Sequence, residues 1–183
     1  MGGLGGRVDQ AFSQIHHLYM MTEAQRELRE AQDEDTKEIQ NRIQSQRPAP
    51  GSGGNLYLVS EESITFILQQ GKNVIHTPAT RRADIDTSST AVPEAAVETP
   101  ETPRKRKREE AEAEYFFEEN IGIIPLSGPA SITTHGFEWD VQDWHTEIGG
   151  QLSTSNHIRA EKVEVETSAP VLFTVELAKR LKR

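Results

Sequence analysis

Six side chains able to bind metal or move protons fall within one short stretch: His135, Glu138, Asp140, Asp143, His145 and Glu147. Imidazole nitrogens and carboxylate oxygens at such spacing are the donors of zinc and manganese sites. Paired carboxylates also serve general acid–base catalysis. The neighbours favour a plainer reading. Glu138 and Asp140 alternate with Phe137, Trp139 and Val141, as the wet face of a half-buried strand does. Nothing raises one carboxylate pair above the general acidity of the chain. The cluster reads as solvated strand surface, with no catalytic residue, metal ligand or cofactor assigned.

Other chemical signatures are missing from the sequence. It has no GxxxxGK[ST] loop, no GxGxxG element, no HExxH and no GxSxG elbow. The glycines of GGLGG are not preceded by a strand, so they have no phosphate to cradle. There is no cysteine, which excludes disulfides, thiolate metal sites and cysteine nucleophiles. On this reading the protein is not an enzyme.

The strongest local signal is charge. Arg104, Lys105, Arg106, Lys107 and Arg108 form a run of five cations after Pro103. Such a run has the composition of a nuclear import signal or a nucleic-acid patch. Thr99 and Thr102 each precede a proline and are candidate sites for proline-directed phosphorylation. Phosphate at Thr102 would put about −2 charge beside the cations. A second basic cluster, Lys179, Arg180, Lys182 and Arg183, could contact phosphate. The net charge of −9 argues against a protein that coats nucleic acid over its whole surface.

The elements that would carry these groups separate by composition. Hydrophobic residues make up 34%, below the roughly 45–50% of ordinary domains, so part of the chain is expected to lack a core. No apolar run approaches the roughly 20 residues that cross a bilayer. Gly2 would suit N-terminal lipidation, but Gly6 stands where Ser or Thr is required. Arg7 to Arg47 contains no proline or glycine and reads as one long helix. Val8, Phe12, Ile15 and Tyr19 form a heptad-like stripe, continued in a shifted frame by Met21 and Leu28. A helix of that length would reach roughly 60 Å, too long for a small domain. It is read as an oligomerisation or docking helix, against the plainer alternative of an amphipathic helix packed on its own domain.

After a linker at 48–53, residues 54–76 read as strand, helix, strand, with Ser60 as helix N-cap and Gly71 closing the helix. Residues 77–108 read as a disordered linker. In the last region, 109–183, an acidic helix is expected over Glu109 to Glu119, then strands. Val163 and Val165 alternate with charges, and Val171, Phe173, Val175 and Leu177 give the cleanest period-two face. Glu161 to Thr167 and Val171 to Ala178 are expected to pair antiparallel across a turn at Ser168–Pro170.

The expected fold class is therefore modular α+β: a long N-terminal helix capable of a coiled coil, a disordered linker and a small antiparallel β-rich domain. The layout resembles, in architecture only, nuclear adaptor subunits and minor structural proteins of nuclear-replicating viruses. The expected function is a non-enzymatic nuclear adaptor that docks or self-associates through its helix and is imported by a carrier. The alternative is a nucleic-acid-binding accessory or virion protein. The expected location is the nucleus after cytoplasmic synthesis, or the virion.

Overall fold

A computed structural model of the chain describes residues 7–40, 55–81 and 115–182, with side chains over all of these except 32–40. Its described part is mostly antiparallel β-sheet with one helix at its N-terminal end. The strands are β1 (Leu58–Val59), β2 (Ser63–Leu68), β3 (Gly71–His76), β4 (Phe117–Pro125) and β5 (Ala130–His135). They continue as β6 (Trp144–Thr146), β7 (Ser153–His157), β8 (Lys162–Thr167) and β9 (Val171–Leu177). One sheet has the order β1-β2-β9-β4-β7 and the other β3-β8-β5-β6. The two sheets enclose a core of Leu68, Ile121, Ile123, Ile132, Phe137, Ile158, Val163, Val165, Val171, Phe173 and Val175.

Strand β9 shows how sequence pattern becomes architecture. Val171, Phe173 and Val175 point into the sandwich, as their period-two spacing requires. The intervening Leu172 is also buried, because the outer face of this sheet carries helix α1 (Val8–Gln40). Leu18 of α1 packs against Ile67 and Leu172, with Ile15, Tyr19, Leu56, Leu58, Ile124 and Leu126 around them. Further along β9, Thr174 faces Thr65 of β2, their hydroxyls 3.0 Å apart.

Four expectations about the fold are corrected. The modular picture of helix, linker and separate β-domain fails because β1, β2 and β3 complete the same two sheets as β4 to β9. The segment after Ser60 is strand β2, not helix. Ser60 Oγ does accept from the backbone N–H groups of Glu62 (3.2 Å) and Ser63 (3.0 Å), the bonding of an N-cap. A serine turn ahead of a strand uses the same bonds, and alternating burial of Thr65, Ile67 and their neighbours decides for strand.

The acidic helix expected up to Glu119 is replaced at its described end by β4, which begins at Phe117. Finally, β8 and β9 are consecutive but do not pair. β8 bonds β3 and β5, whereas β9 bonds β2 and β4. The turn at Ser168–Pro170 carries the chain from one sheet to the other. Thr167 Oγ1 donates to the Ala169 carbonyl at 2.7 Å and Ser168 N to Ser131 O at 3.0 Å, which steers it there.

Helix α1 is corrected in role. Its stripe is partly spent on its own sandwich: Ile15 and Tyr19 are half-buried against the sheet. Val8, Phe12, Met21 and Leu28 are exposed. The plainer alternative, an amphipathic helix packed on its own domain, describes the contacts.

Candidate functional site

The loop from Gly136 to Asp143, between β5 and β6, holds Phe137, Trp139 and Val141, whose alternation was expected to mark a strand. Its alternating side chains instead follow a turn built around one carboxylate. Asp140 Oδ2 accepts the Gly136 N–H at 3.0 Å, and Oδ1 accepts the Phe137 N–H at 3.1 Å and the Thr134 hydroxyl at 3.2 Å. Thr134 Oγ1 in turn accepts the Val141 N–H at 3.1 Å. Gly136 has φ of +94°, and a Cβ there would lie 3.1 Å from Ala160 Cβ and 3.2 Å from the Lys162 carbonyl. Only glycine meets both demands at no cost.

Phe137 turns inward, 6.4 Å between ring centres from Phe173. Trp139 turns outward. Its backbone is clamped by the buried side chain of Asn156 on β7. Asn156 Oδ1 accepts the Trp139 N–H at 3.2 Å, and Nδ2 donates to the Trp139 carbonyl at 2.9 Å. The indole is thereby presented at 54% exposure. Its inner side meets the His157 imidazole, with ring centres 5.0 Å apart and planes tilted by 42°.

A charge relay lies behind these rings. His157 Nδ1 is 2.6 Å from Glu138 Oε2. Arg159 bonds both Glu138 and Glu119. The Glu138 carboxyl is held below the usual carboxylate range, first by the hydrogen bond from His157 and, against its partial burial, by the charge of Arg159. An ionised carboxylate only accepts, so His157 Nδ1 carries the hydrogen. Burial opposes the charge on Arg159, yet the Glu119 and Glu138 carboxylates raise its pKa above the ordinary value.

The remaining acidic and histidine residues of the stretch do not converge. His145 Nε2 and Glu147 Oε1 are 3.9 Å apart on the surface, and Asp143 adopts φ of 47° while its N–H donates to Thr133 Oγ1. No group of three metal-ligating side chains occurs among the described residues. Reading the stretch as a wet strand face missed the turn. The Gly136-x-x-x-Asp140 spacing was its available signal, since Gly and Asp both favour turns.

Other expected sites fall elsewhere. Arg104 to Arg108, Thr99, Thr102 and Arg183 lie outside the described residues. Arg180 stacks its guanidinium 4.9 Å from the Phe116 ring centre and donates from Nε to the Tyr115 carbonyl. Lys182 pairs with Glu176, and the Lys179 N–H donates to Glu118. Two of the three described cations of the tail thus bind their own fold through their side chains. A cavity of about 420 Å³ lies between α1, β2 and β3, lined in part by Arg26, Arg29, Tyr57, Gln69 and His76. Arg26 is neutralised there by Glu23 at 3.0 Å and Glu30 at 2.8 Å, so it offers no charge to a ligand.

Comparison with known proteins covers the segment that contains Trp139. The family described as "Thiamin pyrophosphokinase, vitamin B1 binding domain" matches residues 105–172, which include Gly136, Trp139 and Asn156. Thiamine pyrophosphokinase 1 of Arabidopsis thaliana is 38% identical over 61 residues, 33% of this chain and 23% of that protein. Thiamine pyrophosphokinase 2 of Oryza sativa subsp. japonica is 39% identical over 59 residues, 32% of this chain and 22% of that protein. Among solved structures, thiamin pyrophosphokinase from Candida albicans superposes with a TM-score of 0.57 at 21% identity, covering 95% of this chain and 42% of that one. The yeast enzyme gives 0.55 at 19%, covering 96% and 38%. The chain thus shares its fold with part of these structures and spans under a quarter of the curated relatives it matches. The similarity is to enzymes. It overturns the expected non-enzymatic adaptor with its docking and import partners, and equally the nucleic-acid-binding virion protein.

Proposed function

We propose that this chain acts in the pyrophosphorylation of thiamin by ATP, and that its sandwich supplies the thiamin-binding surface at Trp139. The observation that carries this is the exposed indole, held outward by Asn156 within the segment that matches a vitamin B1 binding domain. Thiamin joins an aminopyrimidine to a cationic thiazolium. A flat, electron-rich indole suits both, by stacking on the first and by cation–π attraction to the second, worth about 0.5–2 kcal/mol.

The described residues favour the vitamin over the nucleotide as ligand of this surface. They hold no glycine-rich phosphate cradle, and the Glu138 carboxylate on the far side of the His157 imidazole repels phosphate and attracts a cation. Each part of the loop then has a task. Gly136 and Asp140 set its path, Asn156 fixes the Trp139 backbone, and His157 backs the ring.

Calorimetric titration of the full chain with thiamin tests the proposal. Saturable binding that is lost in Trp139→Ala is expected. Binding of equal strength in native and W139A protein would remove the indole from the site.

A further inference from the structure

Glu138 and Trp139 are consecutive, and both side chains meet the same imidazole. Glu138 Oε2 is 2.6 Å from His157 Nδ1, and the indole centre is 5.0 Å from the His157 ring centre. The carboxylate and the ring are therefore fixed relative to each other by one intervening residue. Arg159 adds a second hold on Glu138 and is itself anchored to Glu119. His157 and Arg159 both contact Oε2. Two carboxylates, Glu138 and Glu119, meet one guanidinium, that of Arg159, in this group. The Glu138 carboxylate lies on the imidazole side of the exposed indole.

We propose that Glu138 is the charge-selecting residue of the Trp139 surface: its carboxylate, locked beside the indole by His157 and Arg159, favours a positively charged heteroaromatic ring over a neutral one of the same shape. This rests on Trp139 being the thiamin platform. The relay gives the preference its strength, because a carboxylate held in one place loses no side-chain freedom when the ligand arrives. A free surface glutamate would lose that freedom and gain little. Glu138 keeps its charge for the ligand because His157, Arg159 and their bonds stabilise the ionised form.

The test compares thiamin with deazathiamin, in which a neutral thiophene replaces the thiazolium, on the full chain by calorimetry. Glu138→Gln keeps an oxygen to accept from His157 Nδ1–H and removes the charge. It is expected to weaken thiamin by about fivefold, the weight of one partly exposed charge pair, and to leave deazathiamin unchanged. Equal weakening of both ligands, or of neither, overturns the selection. Trp139→Ala separates this from failure of the platform itself. Loss of both ligands in W139A with no discrimination in E138Q refutes only the role of Glu138. Undiminished binding in W139A refutes the platform. If E138Q does not fold, salt reads the same charge in the native protein: thiamin affinity falls with added salt while deazathiamin affinity holds, and parallel behaviour of the two overturns the proposal.

Discussion

Both backbone polar groups of Trp139 end on one buried side chain, that of Asn156, with the N–H at 3.2 Å from Oδ1 and the carbonyl at 2.9 Å from Nδ2. A primary amide is among the few side chains that can serve a donor and an acceptor of one residue together. Asn156 Oδ1 also accepts the His157 N–H at 2.8 Å, so the clamp fixes the two aromatic residues together. Asn156→Ala should therefore cost about 2–4 kcal/mol, since it strips buried partners from at least two groups worth roughly 1–3 each. Chemical denaturation measures this, and the same variant should lose thiamin. Stability within about 0.5 kcal/mol of native, the range of ordinary surface changes, would show that the clamp is dispensable.

Gly136 makes a second demand. Gly136→Ala forces a residue with Cβ into φ of +94° and against Ala160 and the Lys162 carbonyl. A loss of about 2 kcal/mol or more follows from left-handed strain plus crowding. The loop should also release its order, seen as lost dispersion of the Trp139 indole resonance. An unchanged thermal midpoint would contradict the geometry.

Acid should unfold the protein through identifiable carboxylates. Glu164 on β8 is held below the usual carboxylate range by hydrogen bonds from Lys72 and then Lys162, with Lys72 Nζ at 2.8 Å and Lys162 Nζ at 3.1 Å. Glu138 is held low by His157 and Arg159. A carboxylate whose folded pKa is depressed contributes stability above its unfolded value, and that contribution is lost as pH falls through the folded value. The midpoint of thermal unfolding should therefore fall as pH drops below the ordinary glutamate value of 4.5. The Glu164→Gln, Glu138→Gln pair should flatten that limb. An equally steep limb in the double variant would assign acid sensitivity elsewhere.

Helix α1 is tied to the sandwich at Leu18, which is 7% exposed, while Leu28 on the same helix is 64% exposed. Leu18→Ala should cost about 2–4 kcal/mol, as buried leucine truncations do. Leu28→Ala should stay within about 0.5 kcal/mol. Equal losses at the two positions would restore the picture of a helix that buries its stripe against a second copy.

What the sequence disclosed was periodicity, and what it withheld was partnership. Val171, Phe173, Val175 and Leu177 announced β9, and Val163 and Val165 announced β8, because alternation is written along one strand. Alternation does not say which strand lies alongside, so the adjacent β8 and β9 looked like a hairpin although they belong to opposite sheets. Ser60 misled for a related reason: its turn bonds are the same whether a helix or a strand follows. The site was hidden by distance in the chain. Trp139 read as part of the apolar face of a half-buried strand, because the residue that turns it outward, Asn156, stands 17 positions away. Of the helix stripe read from the sequence, Ile15 and Tyr19 pack on the sheet, but Leu18, the helix residue buried there, was not among its members.

The central claim is that the Trp139 indole is the surface on which thiamin rests. Its most direct measurement is the fluorescence of the full chain carrying Trp144→Phe, which leaves Trp139 as the sole indole. Thiamin should quench that emission saturably, and neutral sugars or free ATP at equal concentration should not. Emission that does not respond to thiamin, in a protein whose thermal midpoint matches the native one, would contradict the account.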